Sequence, residues 1–569
     1  MNRYSTEVLI VGGGGAATAA AISAHESGAR AMLAVKGRFG VPGVRGAGAT
    51  SNPIGDYWTI RTVGPKGSFF NPPEKVYSDM IQAGLGMADP VLCRIFVDEV
   101  SEAVQRLQSM GMRFGNKMLA TMEGRSNKQG TNSIVAIQKA IIETTGTAVL
   151  EHANLTDLVV DSGRCIGAVG VDDDGDPFVV EAGAVIIATG GVGQLFRYSF
   201  NPPGNTGDGY AMALRAGAEL FNMEFMQQGL ATTWPRQAMI MLYEMEEPYR
   251  LLNADGKEFL GNYLPNGYSA HEVSKLKSYH WPVSCRDAAI YLDRAIKGEA
   301  LAGRGTAHDG IFLDLAHADR GFEPELFVEF ILAQGIDVKR DLIQVQIHHH
   351  TSNGGIRIDC DAQSTVAGLF AAGEAGGWQG ADRLGGTMLG GSQVFGWRAG
   401  RKAAEVAKGG SSNIPSHILD SVLEPVCRYR EARGRKRPTE MRGELQQTMW
   451  ETLIVEKDET SLERARRFVA DERDRLVNDL LVAEPIDVAL AFEHRNLLDV
   501  AEVIIEAAAQ RTESRGSHVR TDFPERNDGE WLTNLVATRS SGELQLERRR
   551  IASDGWVDQP GDIRIKPWG

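Results

Sequence analysis

The sequence predicts an α/β fold on a mostly parallel sheet, interrupted by an inserted α+β domain and followed by a C-terminal helical domain. Three observations predict it. A βαβ pattern opens the chain, glycine-rich strand–turn–helix signals return at 354–400, and charged helical stretches dominate after about Gly410. The 569 residues leave room for three to four domains of about 150 residues each.

Residues 8–11 form a continuous apolar strand, 12–15 a turn, and 16–27 an alanine-rich helix that Gly28 stops. Residues 31–35 are the next strand. Gly12, Gly14 and Ala17 stand in G-x-G-x-x-[GA] spacing between strand and helix. Gly12 permits the tight turn, Gly14 lets backbone approach a pyrophosphate, and Ala17 keeps helix and strand close. The helix N-terminus then faces the anion. A glycine-rich turn alone says little, but the complete βαβ context makes this a Rossmann-like dinucleotide site. Lys36-Gly37 occupies the second strand's end, where an acidic ribose ligand is usual. This unit alone therefore does not choose between FAD and a nicotinamide cofactor.

Another buried strand, 184–188, runs into Thr189-Gly190-Gly191, and the pattern turns mixed between about 226 and 343. A charged helix over 461–481 carries Thr460 and Glu463 as a capping box. The domain expectations are a first part of the dinucleotide domain (1–225), a capping or substrate domain (226–343), its second part (344–409), and a C-terminal helical domain with an irregular tail (410–569).

Composition narrows the function. Lys and Arg total 60 against 74 Asp and Glu, a net charge of −14, which argues against nucleic acid or anionic membrane as partner. Glycine, 65 of 569 residues, is about 11% against roughly 7% on average, while proline stays at 21. The excess belongs to turns and close backbone approaches rather than to linkers. No stretch reaches the roughly 18 apolar residues of a membrane helix. A strand starting at Val8 leaves no room for a signal peptide. Cys93, Cys165, Cys285, Cys360 and Cys427 form no C-x-x-C pair, which excludes an in-chain iron–sulfur cluster and fits reduced thiols. A cytoplasmic protein, not integral to the membrane, is expected.

Several motifs follow in order: 11–22, Lys36-Gly37, Ala188-Thr189-Gly190-Gly191, Thr206-Gly207-Asp208-Gly209, Met223-Glu224-Phe225, 368–374, Gly380-Ala381-Asp382-Arg383-Leu384-Gly385-Gly386 and Phe395-Gly396. With the tail 511–518 and Asp522-Phe523-Pro524, this set resembles the flavoprotein subunit of the succinate dehydrogenase/fumarate reductase family. L-aspartate oxidase and the adenylylsulfate reductase flavoprotein are relatives. The resemblance implies a discontinuous FAD-binding domain. It implies Gly12, Gly14, Ala17, Lys36, Gly37, Thr189, Gly190, Asp208, Glu374 and Leu389 at the cofactor, with Asp208 near the dinucleotide and Glu374 on its hydroxyls. Carboxylates pair well with sugar hydroxyls in a glycine-lined cleft.

The resemblance also implies catalytic residues. Ser284-Cys285-Arg286-Asp287 matches the segment whose arginine delivers a proton to a carbon–carbon double bond. A guanidinium is an odd acid that works only when pinned beside carboxylates that reload it, here Asp287 or Glu244; a structural Arg–Asp salt bridge is the bland alternative. His350, in His350-Thr351-Ser352-Asn353-Gly354-Gly355-Ile356, is expected to clamp a substrate carboxylate with Arg383. A bland loop histidine is the second reading. The run His348-His349-His350 reads poorly as a metal site, because neighbours on a strand alternate faces.

The departures matter too. Where the family pattern reads Q-x-H-P-T-G, this chain has Gln227-Gln228-Gly229-Leu230, with no histidine for a second carboxylate. Tyr243-Glu244 takes the place of a threonine–glutamate pair, Gln379 replaces a histidine, and Asp382 an asparagine. One carboxylate clamp survives; the other end is rebuilt with Trp234, Tyr243 and neutral residues, which disfavours a small dicarboxylate. No histidine stands near Val44-Arg45-Gly46 for covalent flavin attachment, so FAD is expected to be non-covalent. Gly48-Ala49-Thr50-Ser51-Asn52 keeps the adenylylsulfate reductase relative in view.

The leading expectation is an FAD-dependent oxidoreductase interconverting a C–C single and double bond next to a carboxylate, on a small carboxylic acid other than plain fumarate. It would exchange electrons with an iron–sulfur or other electron-transfer partner. The alternatives are an L-aspartate oxidase-like amino-acid oxidase, an adenylylsulfate reductase-like flavoprotein paired with an iron–sulfur protein, and a non-catalytic flavin relay.

Overall fold

The computed structural model describes residues 1–42, 44–51, 59–64, 71–114, 119–121, 133–238, 249–280, 282–316, 332–408, 410 and 413–550. The chain opens with β1 (Asn2–Val11), α1 (Gly15–Glu26) and β2 (Ala31–Ala34). The same sheet then takes β3 (Ala148–Leu150), β4 (Asn154–Asp161), β5 (Arg164–Val171) and β6 (Pro177–Ile187). Its order is β3-β2-β1-β6-β5-β4. β6 pairs parallel with β1 from Asn2↔Phe178 to Val11↔Ile187. Val185, Ile186 and Ile187 are fully buried, as expected for a strand covered on both faces, and each burial stabilises by about 1.5–3 kcal/mol.

α2 (Asp208–Arg215) follows and leads to a four-stranded antiparallel sheet of β7 (Met226–Trp234), β8 (Arg250–Leu252), β9 (Ile311–Asp314) and β10 (Ile343–Ser352). β7 and β10 pair from Met226↔Ser352 to Trp234↔Gln344. The chain then returns to the first sheet: β11 (Leu369–Ala371) adds parallel to the end of β6, Leu369 opposite Val185. α3 (Thr387–Val406) lies against α1. The contact needs glycine, since a Cβ at Gly396 would sit 2.6 Å from the Ala16 carbonyl oxygen and one at Gly400 2.3 Å from that of Ala20.

The C-terminal part packs α4 (Pro438–Leu453), α5 (Glu459–Asn478) and α6 (Ile486–Gln510) together. Part of their charge is used between helices: Arg466 meets Glu506 at 2.7 Å and Arg473 meets Asp499 at 2.8 Å. α5 begins two residues before the sequence expectation. Its cap is Asp458, whose Oδ1 accepts from Ser461 N–H at 2.7 Å while Asp458 N–H donates to Ser461 Oγ at 2.9 Å. A carboxylate satisfies the orphan N–H groups and also favours the positive end of the helix dipole. The tail expected to be irregular instead carries a hairpin, β12 (Asn534–Ser540) and β13 (Glu543–Arg549). Val536 of β12 pairs with Phe221, tying the tail to the segment just before β7.

Candidate active site

The geometry of the turn after β1 suits the close approach of a ligand's phosphates. Gly12 has φ +126°, and a Cβ there would lie 2.4 Å from the Ala188 carbonyl oxygen, so only glycine fits. Gly14 caps α1 without any side-chain hydrogen bond, leaving the helix N-terminus open. A Cβ on Gly48 would fall 2.6 Å from Gly14 Cα, so loop 44–51 lies directly on this turn. Ala17, on the first turn of α1, is fully buried.

Around this cradle the expected cofactor residues converge. Gly37 lies against the Arg45 carbonyl, and Thr189 and Gly190 follow β6 directly. Thr189 Oγ1 and Asn205 Nδ2 are buried without a partner. Glu374 Oε1 accepts from Ser352 N–H at 2.9 Å, and burial raises its pKa despite that bond. Leu389 sits in the first turn of α3, whose N-cap Gly386 is left-handed and again offers no side-chain cap. Two open helix N-termini, glycine walls and orphaned polar atoms suit an anionic, hydroxyl-rich group such as FAD.

Asp208 and Lys36 meet each other. Lys36 Nζ pairs with Asp208, donates to Glu493 Oε1 at 3.0 Å and to the Gly204 carbonyl at 2.9 Å. Asn496 Nδ2 donates to Asp208 Oδ1 at 2.9 Å. Arg45 and Arg442 also reach Glu493, at 2.9 and 2.6 Å. Burial would raise the Glu493 pKa, but Lys36, Arg45 and Arg442 together hold it well below the usual carboxylate range.

Of the expected catalytic residues, His350 near the end of β10 and Arg383 in the loop before α3 meet. Arg383 Nη2 lies 3.4 Å from His350 Nδ1, and burial followed by the Arg383 charge keeps His350 neutral, its pKa well below the ordinary value. His349 stacks on Phe196 at 4.9 Å and His348 Nδ1 lies 2.9 Å from the Gln346 carbonyl. Burial lowers their pKa values to about 3 and about 4. Among the described residues no group of three or more His, Cys, Asp and Glu side chains could hold a metal ion.

Arg286 Nη2 donates to Asp382 Oδ2 at 2.6 Å, and Ser284 Oγ donates to the same oxygen at 2.8 Å. Asp287 is differently employed: its Oδ1 accepts from Ala289 N–H at 2.9 Å and caps a turn. The carboxylate in contact with Arg286 is therefore Asp382, which in the sequence stands out only as a departure from the family pattern. Glu244, with Tyr243, lies outside the described residues.

A second contribution is not assignable from the sequence. The buried segment 511–518 fastens the loops that carry Arg286 and Arg383: Cys285 N–H donates to the Gly516 carbonyl at 2.9 Å, and Ser517 Oγ to the Ala381 carbonyl at 2.7 Å. Arg511 anchors it to Glu224 at 2.7 Å, both side chains fully buried. The motif is visible in the sequence, but its role depends on contacts across more than a hundred residues of chain, which local pattern does not report.

Beside His350 on β10 the polar groups are neutral. Gln227 pairs with Thr351, next to His350, and its Oε1 is buried without a partner, as are Ser352 Oγ and Asn353 Oδ1. Trp234 ends β7 half-buried.

Known proteins resemble this chain over nearly its whole length. Residues 7–389 match the FAD binding domain family and residues 442–564 the family described as fumarate reductase flavoprotein C-term. A fumarate reductase (CoM/CoB) subunit of Methanothermobacter marburgensis is 31% identical over 94% of this chain and 97% of its own. L-aspartate oxidase of Streptomyces coelicolor is 30% identical over 94% and 91%. The solved structure of Mycobacterium smegmatis Sdh1 in complex with UQ1 superposes with a TM-score of 0.81 at 26% identity, covering 97% of this chain and 95% of that one. Among the described residues no helix is long and apolar enough to cross a membrane. With its cofactor cradle and both halves of the chain matched, this protein belongs to the fumarate reductase/succinate dehydrogenase flavoprotein family and is an FAD-dependent oxidoreductase.

Proposed function

We propose that this chain interconverts a carbon–carbon single and double bond next to a carboxylate, in a substrate whose distal end is uncharged. The observation that carries this reading is the adjacency of an acid, Arg286, and a carboxylate clamp, Arg383 with His350, through consecutive residues Asp382 and Arg383. Arg383 supplies the positive charge, and neutral His350 beside it gives a second, uncharged contact. Together they orient the carboxylate, which fixes the reacting carbons and is worth more than raw affinity. Arg286 delivers a proton to the α carbon; its Nε is buried without a partner, so that edge of the guanidinium is not committed elsewhere. When bound, FAD supplies or accepts the hydride. The proposed catalytic set is Arg286, His350, Arg383 and Glu244, within a capping domain over 226–343 and the returning segment 344–409. The proposed cofactor set is Gly12, Gly14, Ala17, Lys36, Gly37, Thr189, Gly190, Asp208, Glu374 and Leu389, holding FAD non-covalently. An iron–sulfur or other electron-transfer partner is assigned to exchange electrons with it.

Arg286→Lys keeps the charge but loses the planar fork, so turnover should fall by roughly two or more orders of magnitude with substrate binding retained. Dye-linked double-bond reduction on FAD-replete variants measures this, and near-normal turnover would make Arg286 structural. Fumarate itself is the second reading, favoured by the name of the 31% identical Methanothermobacter protein. Crotonate, with one carboxylate, should be reduced faster than fumarate; the reverse order favours the second reading. Acid precipitation should release the flavin, since loop 38–52 has no histidine; colour retained on the denatured polypeptide would contradict the non-covalent assignment.

A further inference from the structure

We propose that Asp382 is the positioning residue of the acid: it holds Arg286 by its Nη2 edge and passes it the proton that reloads it after each turnover. This deepens the proposed function and rests on Arg286 as proton donor.

Three observations support it. Asp382 is 2% exposed, and its Oδ2 takes both the Arg286 Nη2 bond at 2.6 Å and the Ser284 Oγ bond at 2.8 Å. Its Oδ1 is buried without a partner, so half of this carboxylate is uncommitted where an unpaired acceptor is costly. Both loops that carry the pair are fastened from outside, Cys285 to Gly516 and Ala381 to Ser517, so the contact is held rather than incidental.

The chemistry balances as proton transfer alone. Arg286 gives a proton to the α carbon and becomes a neutral guanidine. Asp382 takes one proton from solvent between turnovers and passes it along its bond to Nη2, restoring guanidinium and carboxylate. One proton enters for each that leaves, and no electrons move. Burial raises the Asp382 pKa while the Arg286 charge opposes it. Loss of that charge removes the opposition, so Asp382 binds a proton at the moment one is needed. The titratable and charged groups acting on it are Arg286, Asp287 and Cys285 on the 284–287 loop, with Arg383 adjacent in chain, while Glu513 of the C-terminal segment acts on Cys285. Cys285 is pushed up to about 12 by burial, Asp287 caps its own turn, and Glu513 is bound by Arg511 and Arg515.

The test uses the FAD-loaded full chain, crotonate as probe and a reduced dye as electron source. Asp382→Asn retains an acceptor for Ser284 and Arg286 but cannot carry a proton. Its kcat should fall roughly 10- to 100-fold with KM changed less than about threefold, and kcat should rise as pH falls, because the proton must then come directly from solvent. Asp382→Glu should recover part of the rate and the flatter profile. Independently of turnover, infrared pH titration should show a carboxyl band that is present in the wild type, shifted in Asp382→Glu and absent in Asp382→Asn. If Asp382→Asn sheds its FAD, Asp382→Glu and the infrared titration carry the test. A wild-type rate and pH profile in Asp382→Asn, or identical infrared titrations, overturns the proposal while Arg286→Lys still loses turnover. If Arg286→Lys keeps turnover, the underlying reading of Arg286 fails instead.

Discussion

Burial leaves His350 neutral beside a permanently charged Arg383, so the clamp's charge does not titrate near neutrality. The sign is simple: a pKa lowered below its ordinary value means the ring would gain a proton only in acid. KM for a carboxylate substrate should therefore be flat between about pH 6 and 8, a range bracketing the unperturbed histidine value near 6.5. His350→Gln should raise KM by about 1 kcal/mol equivalent, the scale of one neutral hydrogen bond, and Arg383→Met by about 1.5–3, the scale of a charged one. Equal penalties, or a KM step near pH 6.5, would mean that His350 carries charge. His350 and Arg383 are legible in sequence because each sits inside a contiguous motif. The partner of Arg286 is not, because Asp287 is adjacent in chain while Asp382 is adjacent in space.

At the scale of elements, the βαβ unit is readable because an apolar run, a glycine turn and an alanine helix each state their conformation locally. The 511–518 segment shows the opposite case. Its arginines and glutamate resemble a solvated charged stretch, yet Arg511, Glu513 and Arg515 are all buried and mutually paired. Arg511→Met leaves Glu224 and Glu513 buried with a cation removed, which should cost about 3–5 kcal/mol. The double variant Arg511→Met/Glu224→Gln removes one of the stranded charges and should recover part of that loss. Thermal unfolding of the four species gives the coupling energy, and strictly additive penalties would show that the pair is not a unit.

At the scale of the whole molecule, one buried charge joins distant stretches of chain. Glu493, on α6, gathers Lys36 from just past the end of β2, Arg45 from the loop over the cofactor turn, and Arg442 from α4. The order of the motifs is legible in the sequence, but this junction is not, since Lys36 and Arg45 stand more than four hundred residues from Glu493. A carboxylate whose folded pKa is depressed stabilises the protein above the unfolded value, near 4.3, and loses that contribution as pH falls toward the folded value. The wild type should therefore lose stability below about pH 5, where the unfolded carboxylate takes up protons while the folded one stays charged. Glu493→Gln leaves three cations competing for fewer counter-charges and should cost about 3–5 kcal/mol at neutral pH. That deficit should shrink as the carboxylate of the unfolded wild-type chain protonates, so the unfolding midpoints of the two proteins converge toward acid. Midpoints from pH 7 down to about pH 3 decide it: a gap that stays constant across that range would show that Glu493 contributes packing rather than charge.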